Sequence, residues 1–210
     1  MRKTIQLLLI SFVSISLGMT QNAEKILEDA AKAYEKSNGI SAQFAANIQS
    51  EKQTISESFE GTIQMRGDKF VLITPDMRTW YDGKTQWTIY TDEVYLSTPT
   101  GDDLQFLNPM ILLRTYKQGF NLSYKGESTA DTGKMAYDIQ LVAKGAGDVE
   151  KIDVQIDKTS SLPVRMTVFM KNGVRSLFRI SRMQTGVNQP DSFFVFNPKD
   201  YPDAIEIDLR

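Results

Sequence analysis

Between Gly61 and Tyr90 the chain reads GTIQMRGDKFVLITPDMRTWYDGKTQWTIY, and consecutive antiparallel strands are the arrangement that suits such a stretch. Phe59, Gly61, Ile63 and Met65 alternate with polar neighbours at the period of two that places them on one face of a strand. Gly67-Asp68 breaks the run. Phe70 to Ile73 is continuously apolar, the pattern of a strand covered on both faces, and Thr74-Pro75-Asp76 ends it. Trp80-Tyr81 and Trp87 flank Asp82-Gly83, a dipeptide that predicts a type I′ hairpin turn. So much aromatic and aliphatic surface on sheets, with little reactive chemistry beside it, suits holding a greasy ligand better than transforming one.

Composition narrows the function further. The 210 residues include no histidine and no cysteine. Ser-His-Asp and Cys-His catalysis, zinc sites of the usual nitrogen and sulfur type, a disulfide framework and a lipid-modified cysteine are thereby removed. The net charge of −2 becomes more negative if Arg2 and Lys3 leave with a leader, which argues against nucleic acid as a partner. No cofactor and no metal are expected.

The leader itself is legible. Arg2 and Lys3 form a positive start, Ile5 to Leu17 an apolar stretch, and Gly18-Met19-Thr20 small residues before a cut near Thr20. The stretch is shorter than the roughly 20 apolar residues that span a bilayer and is interrupted by serines. This predicts a signal peptide over residues 1–20 and one exported domain over 21–210.

In the mature part, Ile26, Leu27, Ala30 and Tyr34 recur at helical spacing after Asn22 and before Gly39, predicting an amphipathic helix. From Ile40 the period changes to two, and the strand rhythm returns in sets such as Met135, Tyr137, Ile139, Leu141 and Val164, Met166, Val168, Met170. Asn172-Gly173 reads as a second type I′ turn. Asn108-Pro109 starts a second helix, apolar on nearly every side through Met110 to Leu113 and ended by Gly119. About eleven antiparallel strands with two short helices predict a mainly β fold, a barrel or a strongly curved sheet.

Three constellations were candidates for chemistry. Asp153 and Asp157 share the polar face of a predicted strand and would form an acid-base pair only if they converged on a cleft; a solvated surface is the simpler reading. Asp82-Gly83-Lys84 lacks the strand-to-helix glycine loop of a nucleotide site. Arg66, after inward-facing Met65 and beside a turn, is either an exposed turn arginine or a fork donor to a neighbouring element.

Four pieces stand in a telling order: Asp82-Gly83-Lys84-Thr85-Gln86-Trp87 with Tyr90, Asn108-Pro109-Met110-Ile111-Leu112-Leu113, Leu162-Pro163-Val164, and Asp191-Ser192-Phe193-Phe194-Val195-Phe196-Asn197-Pro198. With the leader and the strand order they make nearly the whole mature chain resemble the outer-membrane lipoprotein carrier proteins, periplasmic chaperones of the LolA type. The resemblance implies an incomplete antiparallel β-barrel of about eleven strands, its concave apolar face closed by an α lid made from the helices at Ile26 to Tyr34 and Pro109 to Tyr116. It implies a monomeric, non-enzymatic carrier that takes lipoproteins from an inner-membrane ABC transporter, shelters their acyl chains and passes them to an outer-membrane acceptor. The residues expected against lipid are Phe44, Phe59, Ile63, Met65, Phe70, Leu72, Trp80, Trp87, Met110, Leu113, Met135, Tyr137 and Met166. The family arginine that hydrogen-bonds the lid looks like Arg66, although Gly67 stands where the family often has proline. A lipid-binding or envelope-sensor module on the same fold is the alternative reading, and a carboxylate hydrolase in a β-sandwich the reading from a different class.

Overall fold

The computed structural model describes residues 22–50, 52, 54–99, 116 and 119–210. Helix α1 spans 22–36. Ala23, Leu27, Ala30 and Tyr34 lie on its buried face, at the spacing that makes one apolar stripe. Asn38 and Gly39, both at positive φ, then turn the chain into the first strand.

Twelve strands follow among the described residues: β1 Ile40–Ser50, β2 Ile55–Arg66, β3 Lys69–Ile73, β4 Arg78–Tyr81, β5 Gln86–Tyr90, β6 Glu93–Ser97, β7 Phe120–Thr129, β8 Met135–Ala143, β9 Val149–Asp157, β10 Pro163–Met170, β11 Arg175–Thr185 and β12 Ile205–Asp208. They form one sheet in the order β12-β6-β5-β4-β3-β2-β1-β11-β10-β9-β8-β7. All neighbours are antiparallel except β12, which returns to lie parallel to β6. Among the described residues β7 and β12 are not paired with each other, so the sheet is an incomplete barrel. The expected count of about eleven omitted β12, whose four residues Ile205 to Asp208 alternate over too short a stretch to stand out.

The two hairpins expected to be type I′ are built differently. Type I′ needs positive φ at both central residues, whereas only Gly83 has it in the β4–β5 loop and only Gly173 in the β10–β11 loop. In the first, Asp82 Oδ1 accepts from the backbone N–H groups of Lys84 and Thr85 at 2.8 Å. In the second, Asn172 Oδ1 accepts from Val174 N at 3.0 Å. These side-chain acceptors hold longer loops than the two-residue turns that the dipeptides predict.

Strand alternation sorts the apolar residues onto two faces. On the concave face Ile40, Ala42, Phe44 and Ala46 of β1 stand opposite Met65, Ile63, Gly61 and Phe59 of β2. Phe70 and Leu72 continue that row into β3. Ile139, Leu141, Ile152, Val154, Ile156, Met166 and Val168 carry it through β8, β9 and β10, where α1 supplies Leu27, Ala30 and Tyr34 to the same core. On the convex face of the other half, Val71 stands opposite Trp80, Trp80 opposite Trp87, and Trp87 opposite Leu96. The C-terminal segment covers them with Phe194 and Phe196, making a second core. Strand β3 is therefore sealed on both sides, with Phe70, Val71 and Leu72 all buried, as its unbroken apolar run predicts.

Candidate functional site: an apolar hollow on the concave face

Four neighbouring strands, β3, β2, β1 and β11, hold a cavity of about 410 Å³ on the concave side. Phe44 and Ile48 come from β1, Phe59, Ile63 and Met65 from β2, and Leu72 from β3. Met77 closes one flank, and Met170, Asn172, Val174, Ser176, Phe178 and Ile180 of the β10–β11 hairpin close the other. Among the described residues Asn172 and Ser176 are the polar members of the lining, and none of the lining carries a charge. The size falls within the range of small-ligand pockets. No α1 residue lines the cavity itself; α1 covers the adjoining part of the concave face as the helical lid of the half-barrel, in one core with Phe44, Ile63, Met65 and Leu72.

One glycine shapes the hollow. Phe44 faces Gly61 across the β1–β2 ladder, and a Cβ at Gly61 would stand 2.4 Å from Ile73 O and 2.7 Å from the Phe44 ring. The missing side chain leaves room for the ring, which stands edge-on to Phe59 at 6.2 Å. Unbranched Met65, Met77 and Met170 line the rest, thioethers that adapt to differently shaped apolar partners.

Of the residues expected against lipid, the structure brings Phe44, Phe59, Ile63, Met65 and Leu72 together around the hollow. Phe70 and Met166 are fully buried in the adjoining core instead. Tyr137 is half-buried near α1, edge-on to Tyr124 and with Lys158 Nζ 5.0 Å from its ring. Met135, at the start of β8, is 48 % exposed and does not line the hollow. Trp80 and Trp87 do not line it either, because strand parity places them with Val71 on the convex face. Met110 and Leu113 lie outside the described residues, as does the predicted second helix except Tyr116, which is helical and buried in the concave core. Ile48, Met77, Met170, Asn172, Val174, Ser176, Phe178 and Ile180 were missed; the alternation of Ser176, Phe178 and Ile180 was the signal available for β11.

Arg66 is engaged with the C-terminal segment. Its guanidinium donates to Asp191 Oδ1 and, at 3.5 Å, to Asn188 Oδ1, and it lies 5.8 Å from the Phe194 ring. Lys69 Nζ joins the same carboxylate at 2.9 Å. The helix contact nearest in sequence is made by the turn that follows: Tyr34 OH donates to Gly67 O at 2.6 Å, tying the end of α1 to the β2–β3 hairpin.

The acidic pair separates. Asp153 lines a polar depression of about 390 Å³ on the convex face, where its Oδ1 accepts from Gln140 Nε2 at 2.9 Å. Asp157 is absent from that depression and, contrary to the solvated reading, is 2 % exposed. Burial pushes its carboxyl up, but hydrogen bonds from the Ser160 backbone and hydroxyl and from Thr159 N outweigh it and hold the pKa below the usual carboxylate value. That is the opposite of the raised pKa of a general acid. Its role on this geometry is to cap the β9–β10 turn. Among the described residues no three acidic side chains are grouped to hold a metal ion.

An open, strongly curved sheet with one apolar hollow on its concave side defines a half-barrel of the binding type. The model of the family described as outer membrane lipoprotein carrier protein LolA matches residues 14–174 of this chain, and the chain belongs to that family, whose fold is a lipoprotein-binding fold of the cell envelope. Among solved structures, an uncharacterized conserved protein from Thermus thermophilus is similar at 15 % identity and TM-score 0.56, covering 89 % of this chain and 99 % of that one. LprF from Mycobacterium bovis is similar at 16 % identity and TM-score 0.51, with 82 % and 97 % covered. No curated protein matches the sequence.

Proposed function

We propose that this protein is a periplasmic carrier that shelters the acyl chains of lipoproteins in the concave hollow and moves them from the inner to the outer membrane. The observation that supports this best is the lining of a cavity open to solvent, which among the described residues is charge-free and almost wholly apolar, on a sheet whose other apolar face is already filled. In this reading residues 1–20 are removed on export, an inner-membrane ABC transporter loads the carrier and an outer-membrane acceptor unloads it. The protein itself performs no reaction. Each methylene taken from water contributes about 0.8 kcal/mol, so a fully enclosed chain would be held too tightly to pass on. A hollow walled by three methionines and left incompletely covered keeps the affinity moderate and the chain transferable.

The test is mass spectrometry of the protein isolated from the periplasmic fraction with whatever it retains. Acylated protein is the expected cargo, and an intact mass starting near Gln21 is the expected chain. Free lipid alone would favour a lipid-binding or sensor module on the same fold.

A further inference from the structure

The polar side chains of the hollow are not scattered. Both belong to one hairpin: Asn172 sits in the β10–β11 turn and Ser176 on β11, opposite Ile48 of β1. Asn172 is exposed and Ser176 half-buried, whereas Ile63, Met65, Leu72 and Ile180 at the other end are between 3 % and 6 % exposed. The cavity thus has a sealed hydrocarbon end and an open end bearing one amide and one hydroxyl.

Resting on the carrier reading, we infer that this hairpin is the head-group end of the site. Acyl chains enter methyl-first toward Ile63 and Leu72, and Asn172 with Ser176 donates hydrogen bonds to their ester carbonyls. Asn172 Oδ1 is occupied by Val174 N at 3.0 Å, so the two hydrogens on its Nδ2 are what it can offer a ligand. The Ser176 hydroxyl rotates to donate. A neutral acceptor is the matching chemistry, since a carboxylate or phosphate drawn in among the described lining residues would meet no charge there, and Lys52, whose methylenes pass Gly173 of the turn, is not one of them. Ester carbonyls are the neutral acceptors that every O-acylated lipid carries next to its hydrocarbon. They would otherwise be stripped of water at the mouth without a partner. The inference therefore assigns these two residues a selectivity for esterified chains over bare hydrocarbon.

The test uses the mature chain and two probes of equal chain length. One is a cysteinyl tetrapeptide bearing a dipalmitoyl glyceryl group, and the other is its dihexadecyl diether counterpart, which lacks the ester carbonyls. The wild-type protein is expected to bind the ester probe more tightly, by about 2- to 12-fold for each hydrogen bond made. Asn172→Asp keeps the oxygen that accepts from Val174 N and removes the amide donor; Ser176→Ala removes the hydroxyl. The double variant should lose the ester preference and bind the two probes equally. Ser176→Thr, which retains a hydroxyl, should keep its share of the preference. A double variant that still prefers the ester, or one that loses both probes equally, overturns the inference and leaves the carrier reading standing. Wild-type protein that binds neither probe overturns the carrier reading and the inference together.

Discussion

Two apolar faces meet at strand β3 and end in opposite states, a convex one that runs through β3, β4, β5 and β6 and a concave one that runs through β1, β2 and β3. On the convex side Trp80 is 4 % exposed, edge-on to Phe196 at 5.3 Å and to Tyr201 at 5.7 Å, while Arg78 covers its ring at 4.8 Å. The chain's own C-terminal segment supplies that cover, so this face is finished core. On the concave side Phe44, Phe59, Ile63 and Met65 form one wall of a hollow that no side chain of the described residues fills. Apolar surface alone does not mark a binding site. What marks it here is apolar surface that the described residues shape and leave uncovered.

The comparison breaks most sharply at Trp80. Trp80→Ala should cost about 3–5 kcal/mol of stability, as expected for emptying a packed aromatic site. Any protein that remains folded should still bind an acyl probe as the wild type does. Denaturant unfolding beside a fluorescence titration separates the two effects, and a variant of normal stability but weak binding would put the ligand on the convex face.

Gly61→Ala should come next. The added methyl meets a backbone carbonyl and the Phe44 ring at once, an overpacking worth about 1–3 kcal/mol. The ring can yield only toward the hollow, so affinity for long chains should fall further than affinity for short ones. Unchanged chain-length preference would show that Phe44 does not set the depth of the cavity.

Ile48→Glu should show the reverse balance. Ile48 is half-buried and lines the open cavity, so the empty protein should lose at most about 1 kcal/mol. A bound acyl chain would bury the carboxylate without a partner, and uptake should largely disappear. Collapse of stability by several kcal/mol would show that the hollow is core after all.

The smallest effect is expected for Arg66→Leu. The Arg66 and Asp191 side chains are 30 % and 69 % exposed, and partly exposed ion pairs contribute about 0.2–1 kcal/mol, less at high salt. The loss should concern anchoring of the C-terminal segment, measured by hydrogen exchange around residues 188–194, and should shrink in high salt. Failure of lipoprotein release with normal anchoring would instead support the lid-coupling role that the family resemblance implies.

Much of this was legible before any coordinates. Alternation predicted the strands and which residues share a face, because the side-chain period of an extended chain is two whatever it packs against. Helical spacing predicted α1, and the unbroken run from Phe70 to Ile73 predicted a strand sealed on both sides. The motif around Phe193 to Phe196 carried the family resemblance, but not its part in the fold.

What the sequence could not determine was which apolar face remains open. Trp80 and Phe70 read alike as greasy strand residues, and local pattern places them on opposite faces without naming either the ligand side. That choice is made by a contact more than 100 residues apart in sequence, the return of Phe194 and Phe196 onto Val71 and Trp80. The same long-range return engages Arg66 with Asp191. Periodicity is a local property of the backbone and is written in the sequence, whereas cover is a property of whatever else the chain brings to that face, and tertiary packing alone decides it.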